Sequence, residues 1–114
     1  MNVGKFYEGL AVSFLKWKGY KIIERNFHSI YGEIDIIAED LSLVFIEVRA
    51  RKEGALVSGI QSVDKQKIEK IKRTAQFYIS GKQDRYYRFD FLEITQGNLW
   101  RQYNLIKAAF DMDD

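Results

Sequence analysis

Two runs of alternating side chains, residues 32 to 38 and residues 43 to 51, lie so close together that the chain between them can only be a tight turn. In the first run Glu33, Asp35 and Ile37 point one way and Ile34, Ile36 and Ala38 the other; in the second, Val44, Ile46 and Val48 oppose Phe45, Glu47, Arg49 and Arg51. A period of two marks strands, and so short a connection makes them an antiparallel hairpin. If Glu39 and Leu43 close a loop of Asp40, Leu41 and Ser42, paired positions sum to 82, which sets Asp35 opposite Glu47 and Glu33 opposite Arg49. Directly opposed residues share a face with Cβ atoms ~4.5 to 5.5 Å apart. Asp35 and Glu47 are thus expected to hold one divalent cation, Mg²⁺ or Mn²⁺, between them. Two negative charges at that spacing repel unless a cation, an arginine or a raised pKa offsets the repulsion. Arg49, two residues from Glu47 on the same face, supplies part of that compensation.

A third acid comes from the amino-terminal segment. Tyr7, Leu10, Ala11, Phe14 and Leu15 recur at helical spacing, which predicts a helix over residues 3 to 18 closed by Gly19. Glu8 lies only ~20° around that helix from Leu15 and ~60° from Ala11, at the edge of the buried stripe. A carboxylate aimed inward wants a partner, so Glu8 is expected to face the sheet that carries Asp35 and Glu47. A first strand is predicted over residues 20 to 26, followed by a polar connection containing His28 and Ser29. Beyond the third strand, residues 50 to 61 lack periodicity and read as a loop. A helix is predicted over residues 63 to 79, with Ile68, Ile71, Ala75, Tyr78 and Ile79 as its stripe and Lys65, Lys67, Lys70, Lys72 and Arg73 largely outside it. A hairpin over 86 to 95 and 99 to 103 turns around Gly97-Asn98, and an apolar ending, 105 to 110, packs back onto the core. The order α-β-β-β-α-β-β predicts an α/β fold, a mixed central sheet flanked by helices.

Composition narrows the chemistry. At 114 residues the chain, 1–114, is expected to be a single domain. With no cysteine and one histidine it holds no disulfide, thiolate metal site, cysteine nucleophile or imidazole pair. No window approaches the ~18 apolar residues of a membrane span, and the start Met1-Asn2-Val3-Gly4-Lys5 has no signal-peptide core. The expected setting is cytoplasmic, away from membranes. The net charge is +2, but three of the last four residues are acidic, so residues 1 to 110 carry +5.

The stretches Gly32-Glu33-Ile34-Asp35-Ile36-Ile37-Ala38 and Leu43-Val44-Phe45-Ile46-Glu47-Val48-Arg49-Ala50-Arg51 resemble the signature of the bacterial YraN-like family, which is similar to PD-(D/E)xK nucleases and archaeal Holliday junction resolvases. The likeness runs from the Glu8 helix through Arg88-Phe89-Asp90-Phe91 to Ala108-Ala109-Phe110-Asp111. It implies a restriction-endonuclease-like fold, with Asp35 as the motif's first acid, Glu47 as its second, Arg49 as its basic residue and Glu8 as the extra helix carboxylate of resolvases. The expected activity is Mg²⁺-dependent hydrolysis of DNA, branched or damaged DNA included, with Asp35, Glu47, Arg49 and Glu8 as the catalytic set. Two departures stand out: Ile34 precedes Asp35 where the motif has proline, and Arg49 replaces its lysine. Arginine cannot accept a proton but can stabilise charge on a phosphorane-like transition state, which leaves the base to water activated by the cation. Lys52, just past the strand, is a weaker substitute for the lysine.

From Glu47 to Arg73 eight basic residues face four acidic ones, a local charge of +4. Arg51, Lys52, Lys65, Lys67 and Lys70 are the expected phosphate contacts, with Gln61 and Gln66 as further polar candidates. Lysines opposite an apolar stripe also make an ordinary solvated face. Tyr86, Tyr87, Phe89, Phe91, Trp100 and Tyr103 crowd the terminal hairpin; some of them could stack on bases, but alternation favours a core role. His28 reads as a surface residue. The alternatives to a nuclease are a nucleic-acid-binding module without cleavage and a protein-interaction adaptor, and a homodimer is left open.

Overall fold

The computed structural model describes residues 2–56, 63–82 and 85–112. Among the described residues seven elements follow in the expected order: α1 (Val3–Trp17), β1 (Lys21–Ser29), β2 (Gly32–Glu39), β3 (Leu43–Lys52), α2 (Lys65–Ile79), β4 (Tyr87–Gln96) and β5 (Arg101–Phe110). The strands form one sheet in the order β1-β2-β3-β4-β5. Among the described residues only the β3–β4 pair is parallel, since α2 carries the chain back between them; the other three pairs are antiparallel.

Local signals explain where the helices begin and end. Asn2 caps α1 by accepting from the Lys5 amide at 3.2 Å. At the other end the Gly19 amide bonds the Lys16 carbonyl and the Tyr20 amide the Leu15 carbonyl, a paired closure that needs the left-handed backbone of Gly19, φ +98°. Asp64 caps α2 through the Lys67 amide at 2.8 Å, so that helix starts at Lys65 rather than at the expected residue 63.

Each helix covers one face of the sheet. Ala11, Val12 and Leu15 of α1 pack with Ile36, Ala38, Val44, Ile46, Leu92 and Ile94. Ile71 and Ala75 of α2 pack with Ile34, Ile37, Leu43, Phe45 and Phe89 on the other. Ile34 and Ile36 therefore lie on opposite sides, although alternation had set them together. Asn26 on the neighbouring strand has φ +53°, and left-handed backbone there breaks the regular pleat of the β1–β2 pair at the level of Asp35.

Other expectations shift at element ends. β1 runs on through His28 and Ser29, which pair with Glu33 and Gly32, and the connection to β2 is only Ile30 and Tyr31. Lys52 is the last residue of β3 and not part of a loop. Residues 105 to 110 continue β5, whose register slips opposite Phe89–Phe91, with Ala108 at φ +51°. The slip hid the strand's period. Lys72, assigned to the solvated side of α2, is buried. Gln61 and the middle of the expected loop lie outside the described residues.

Candidate active site

The β2–β3 ladder keeps the expected register, from Glu39 opposite Leu43 to Ile36 opposite Ile46, and stops one pair short of Asp35 and Glu47. Past that point a side chain replaces the missing main-chain acceptor: Asp35 Oδ2 accepts from the Val48 amide at 2.8 Å. The hairpin thus opens where its acids begin.

The Asp35 and Glu47 carboxyls lie close enough within this opening to act on each other's charge. Glu47 is 8% exposed. Burial above all, then the nearby carboxyl and charge of Asp35, push its carboxyl up from 4.5 to about 8, against the opposing charges of Lys67 and Arg49. Lys67 Nζ stands 3.6 Å from Glu47 Oε2. Arg49 is half-buried, and its Nε has no hydrogen-bond partner among the described residues.

Glu8 does turn inward, but to another partner. Its Oε1 accepts from Arg25 Nε at 3.0 Å and Asn26 Nδ2 at 2.9 Å, both on β1. The left-handed turn at Asn26 belongs to the strand that supplies both donors. Glu8 and Asp35 line one cavity of about 620 Å³ between the start of α1 and the open hairpin, with Glu33, Val48 and Ala50. Glu47 is not in its lining. Among the described residues no three His, Asp or Glu side chains come together to hold a metal. His28, on the cavity rim, is exposed and 3.5 Å from Glu33.

The expected phosphate contacts divide. Arg51 is engaged inside the protein, with the Ala55 carbonyl at 3.0 Å and Glu93 at 3.5 Å. Lys52, Lys65, Lys70 and Gln66 are exposed. Lys67 belongs to the acid pair, a role that sequence reasoning missed. The signal lay in α2's first turn, which contains two lysines and no acid where the helix dipole favours acids. Of the terminal aromatics, Phe89 and Phe91 are buried and Tyr103 stacks on Phe14 at 4.6 Å, so these three are core; Tyr86 is exposed.

A mixed five-stranded sheet with one helix on each face, in the order α-β-β-β-α-β-β, is an α/β fold consistent with the restriction-endonuclease-like class. The chain belongs to the family described as "Uncharacterised protein family UPF0102", the YraN-like proteins, whose sequence model matches residues 7–94. A UPF0102 protein of Persephonella marina is 45% identical over 116 residues, covering 96% of this chain and 94% of the relative. The UPF0102 protein of Marinobacter nauticus is 48% identical, with 98% and 94% covered. That of Caldicellulosiruptor bescii is 46% identical, with 96% and 97% covered.

Proposed function

We propose that this chain is a divalent-metal-dependent DNA nuclease working in the cytoplasm. The observation that carries the reading is the Asp35–Glu47 pair, a buried carboxyl facing a second one beside Lys67 and Arg49. Such a pair is costly to bury for folding alone and is the kind of perturbed group found at functional sites. The donors suit a hard cation: Mg²⁺ is commonly bound by one or two carboxylates and keeps water and substrate oxygens for the rest of its shell. Asp35 and Glu47 would hold Mg²⁺ or Mn²⁺, which when bound supplies Lewis acidity and an activated water. Arg49, which does not give up its proton, would stabilise charge on the phosphate. Lys67 would hold Glu47 in place and supply a second positive charge. Glu8 enters as a wall of the neighbouring cavity, with its carboxylate held by β1.

A second reading, a DNA-binding module of the same fold without cleavage, is favoured by one observation: the helix acid is tied to Arg25 and Asn26 rather than to the pair. Linear, nicked and four-way DNA incubated with Mg²⁺ or Mn²⁺ separates the two. Cleavage by the wild type and its loss in Glu47→Ala supports the nuclease. Metal binding has its own readout, because a cation that takes both carboxylates must release the Glu47 proton. Calorimetry at pH 7 in two buffers of different ionisation enthalpy is expected to show close to one proton released per Mn²⁺ bound. No heat at millimolar metal, with or without DNA, would remove the metal site from the proposal.

A further inference from the structure

The tip of the β1–β2 hairpin is apolar, exposed and tied by hydrogen bonds to a basic helix. Ile30 is 91% and Tyr31 41% exposed. Beneath them Ser29 Oγ accepts from the Tyr31 amide at 3.0 Å and meets Thr74 Oγ1 of α2 at 3.2 Å. Thr74 in turn donates to the Lys70 carbonyl at 2.8 Å. Gly32 approaches so closely that a Cβ there would stand 3.2 Å from the Lys70 Cβ. The tip is therefore preorganised and pays little to be ordered on binding.

Two adjoining cavities of about 540 and 440 Å³, with Tyr31 and Arg73 in the lining of both, make up a groove beside the tip. Its walls contribute Lys65, Lys70 and Arg73 against a single acid, Glu69, and Phe77 lies at the far end. None of the three cations is paired with an acid among the described residues. Lys65 to Arg73 spans ~12 Å along the helix, comparable with roughly three nucleotides of a strand. Lys70 is also one helical turn from Lys67, which contacts Glu47.

Resting on the nucleic-acid reading above, we infer that this groove binds an unpaired stretch of DNA strand. Tyr31 stacks on a base, and Lys70, Arg73 and Lys65 take the flanking phosphates. An acidic peptide would satisfy the cations but would leave the exposed ring without a flat partner. The preferred substrate is then DNA with a gap, flap or branch, whose unpaired nucleotides seat in the groove while an adjoining phosphate lies toward the Glu47 side of α2.

Fluorescence anisotropy in EDTA, where no cleavage occurs, tests this with labelled oligo(dT), gapped duplex and blunt duplex. Wild type is expected to bind the first two more tightly than the third. Tyr31→Ala should weaken them about tenfold or more, leave blunt duplex unchanged, and be rescued by Tyr31→Phe. Lys70→Gln and Arg73→Gln should each flatten the salt slope on oligo(dT) by ~0.7. Equal affinity for gapped and blunt DNA, or a Tyr31→Ala variant that binds as wild type, overturns the inference while leaving the nuclease reading standing. Polyglutamate displacing oligo(dT) at equal charge concentration would instead mark an acidic-peptide groove. Failure of the wild type to bind any of the three DNAs ends both readings.

Discussion

Glu47 concentrates the physics of this protein in one carboxyl. Its folded-state pKa, about 8, lies above the ordinary 4.5, so between those values the native protein keeps a proton that the unfolded chain has lost. Stability from this group is full below pH ~4.5 and falls as the pH rises toward 8, at ~1.4 kcal/mol per pH unit at most. Wild type is expected to be less stable at pH 8.5 than at pH 5 by up to a few kcal/mol, and Glu47→Gln to show a flatter profile; urea midpoints at the two pH values check it. A wild type with no slope beyond that of the variant would mean the carboxyl is ionised throughout. Glu47 and Asp35 were legible as a pair because a short loop fixes parity, and parity sets which side chains face each other. Glu8 was legible as an inward acid from helical angle alone. Its attachment to Arg25 and Asn26 was not, since it depends on the left-handed backbone at Asn26, which no hydrophobic period encodes.

At the scale of elements, α2 places lysines where a helix would sooner have acids. Lys65 and Lys67 stand in its first turn, against the dipole, and Lys67 is offset by its 3.6 Å contact with Glu47. Replacing it with methionine removes a nearby unfavourable charge from the helix start and a favourable one from the carboxyl. Lys67→Met is therefore expected to change stability at pH 5 by less than ~1 kcal/mol while raising the Glu47 pKa further. A carbon-13 titration of the Glu47 carboxyl reads that shift, and an unmoved pKa would show that Lys67 is too well solvated to matter. The same helix shows why a stripe is read more easily than its flanks. Ile71, Ala75, Tyr78 and Ile79 follow the period into the core, but Lys72, a charged residue outside the stripe, is buried as well, and hydrophobic periodicity cannot announce a buried charge. β5 was cut short in the reading for a related reason: with Ala108 in left-handed backbone the register slips by two residues opposite Phe89–Phe91, and the visible period ends where the strand does not.

Across the whole molecule, one buried carboxylate ties together segments far apart in the chain. Asp90, in the middle of the sheet, accepts from Tyr20 just after α1, Arg88 beside it on β4 and the Ala108 amide on β5. Arg88 reaches on to Asp40 in the β2–β3 turn at 2.7 Å and holds that carboxyl down at about 2. Losing one member of a buried, hydrogen-bonded pair costs ~3 to 5 kcal/mol, so Asp90→Ala should lower the urea midpoint by that equivalent, and Asp90→Asn, which still accepts from Ala108, by less. A near-neutral Asp90→Ala would show the cluster to be incidental.

Among the described residues the sheet is open, with β1 and β5 at its margins. Neither margin offers a straight run of free amides and carbonyls. β1 bulges between Ile22 and Glu24 and turns left-handed at Asn26; β5 is broken at Ala108. A foreign strand laid along either one loses register within a few residues. The faults that reshape the acid cleft and blurred the sequence pattern thus also guard the protein against growing into fibres.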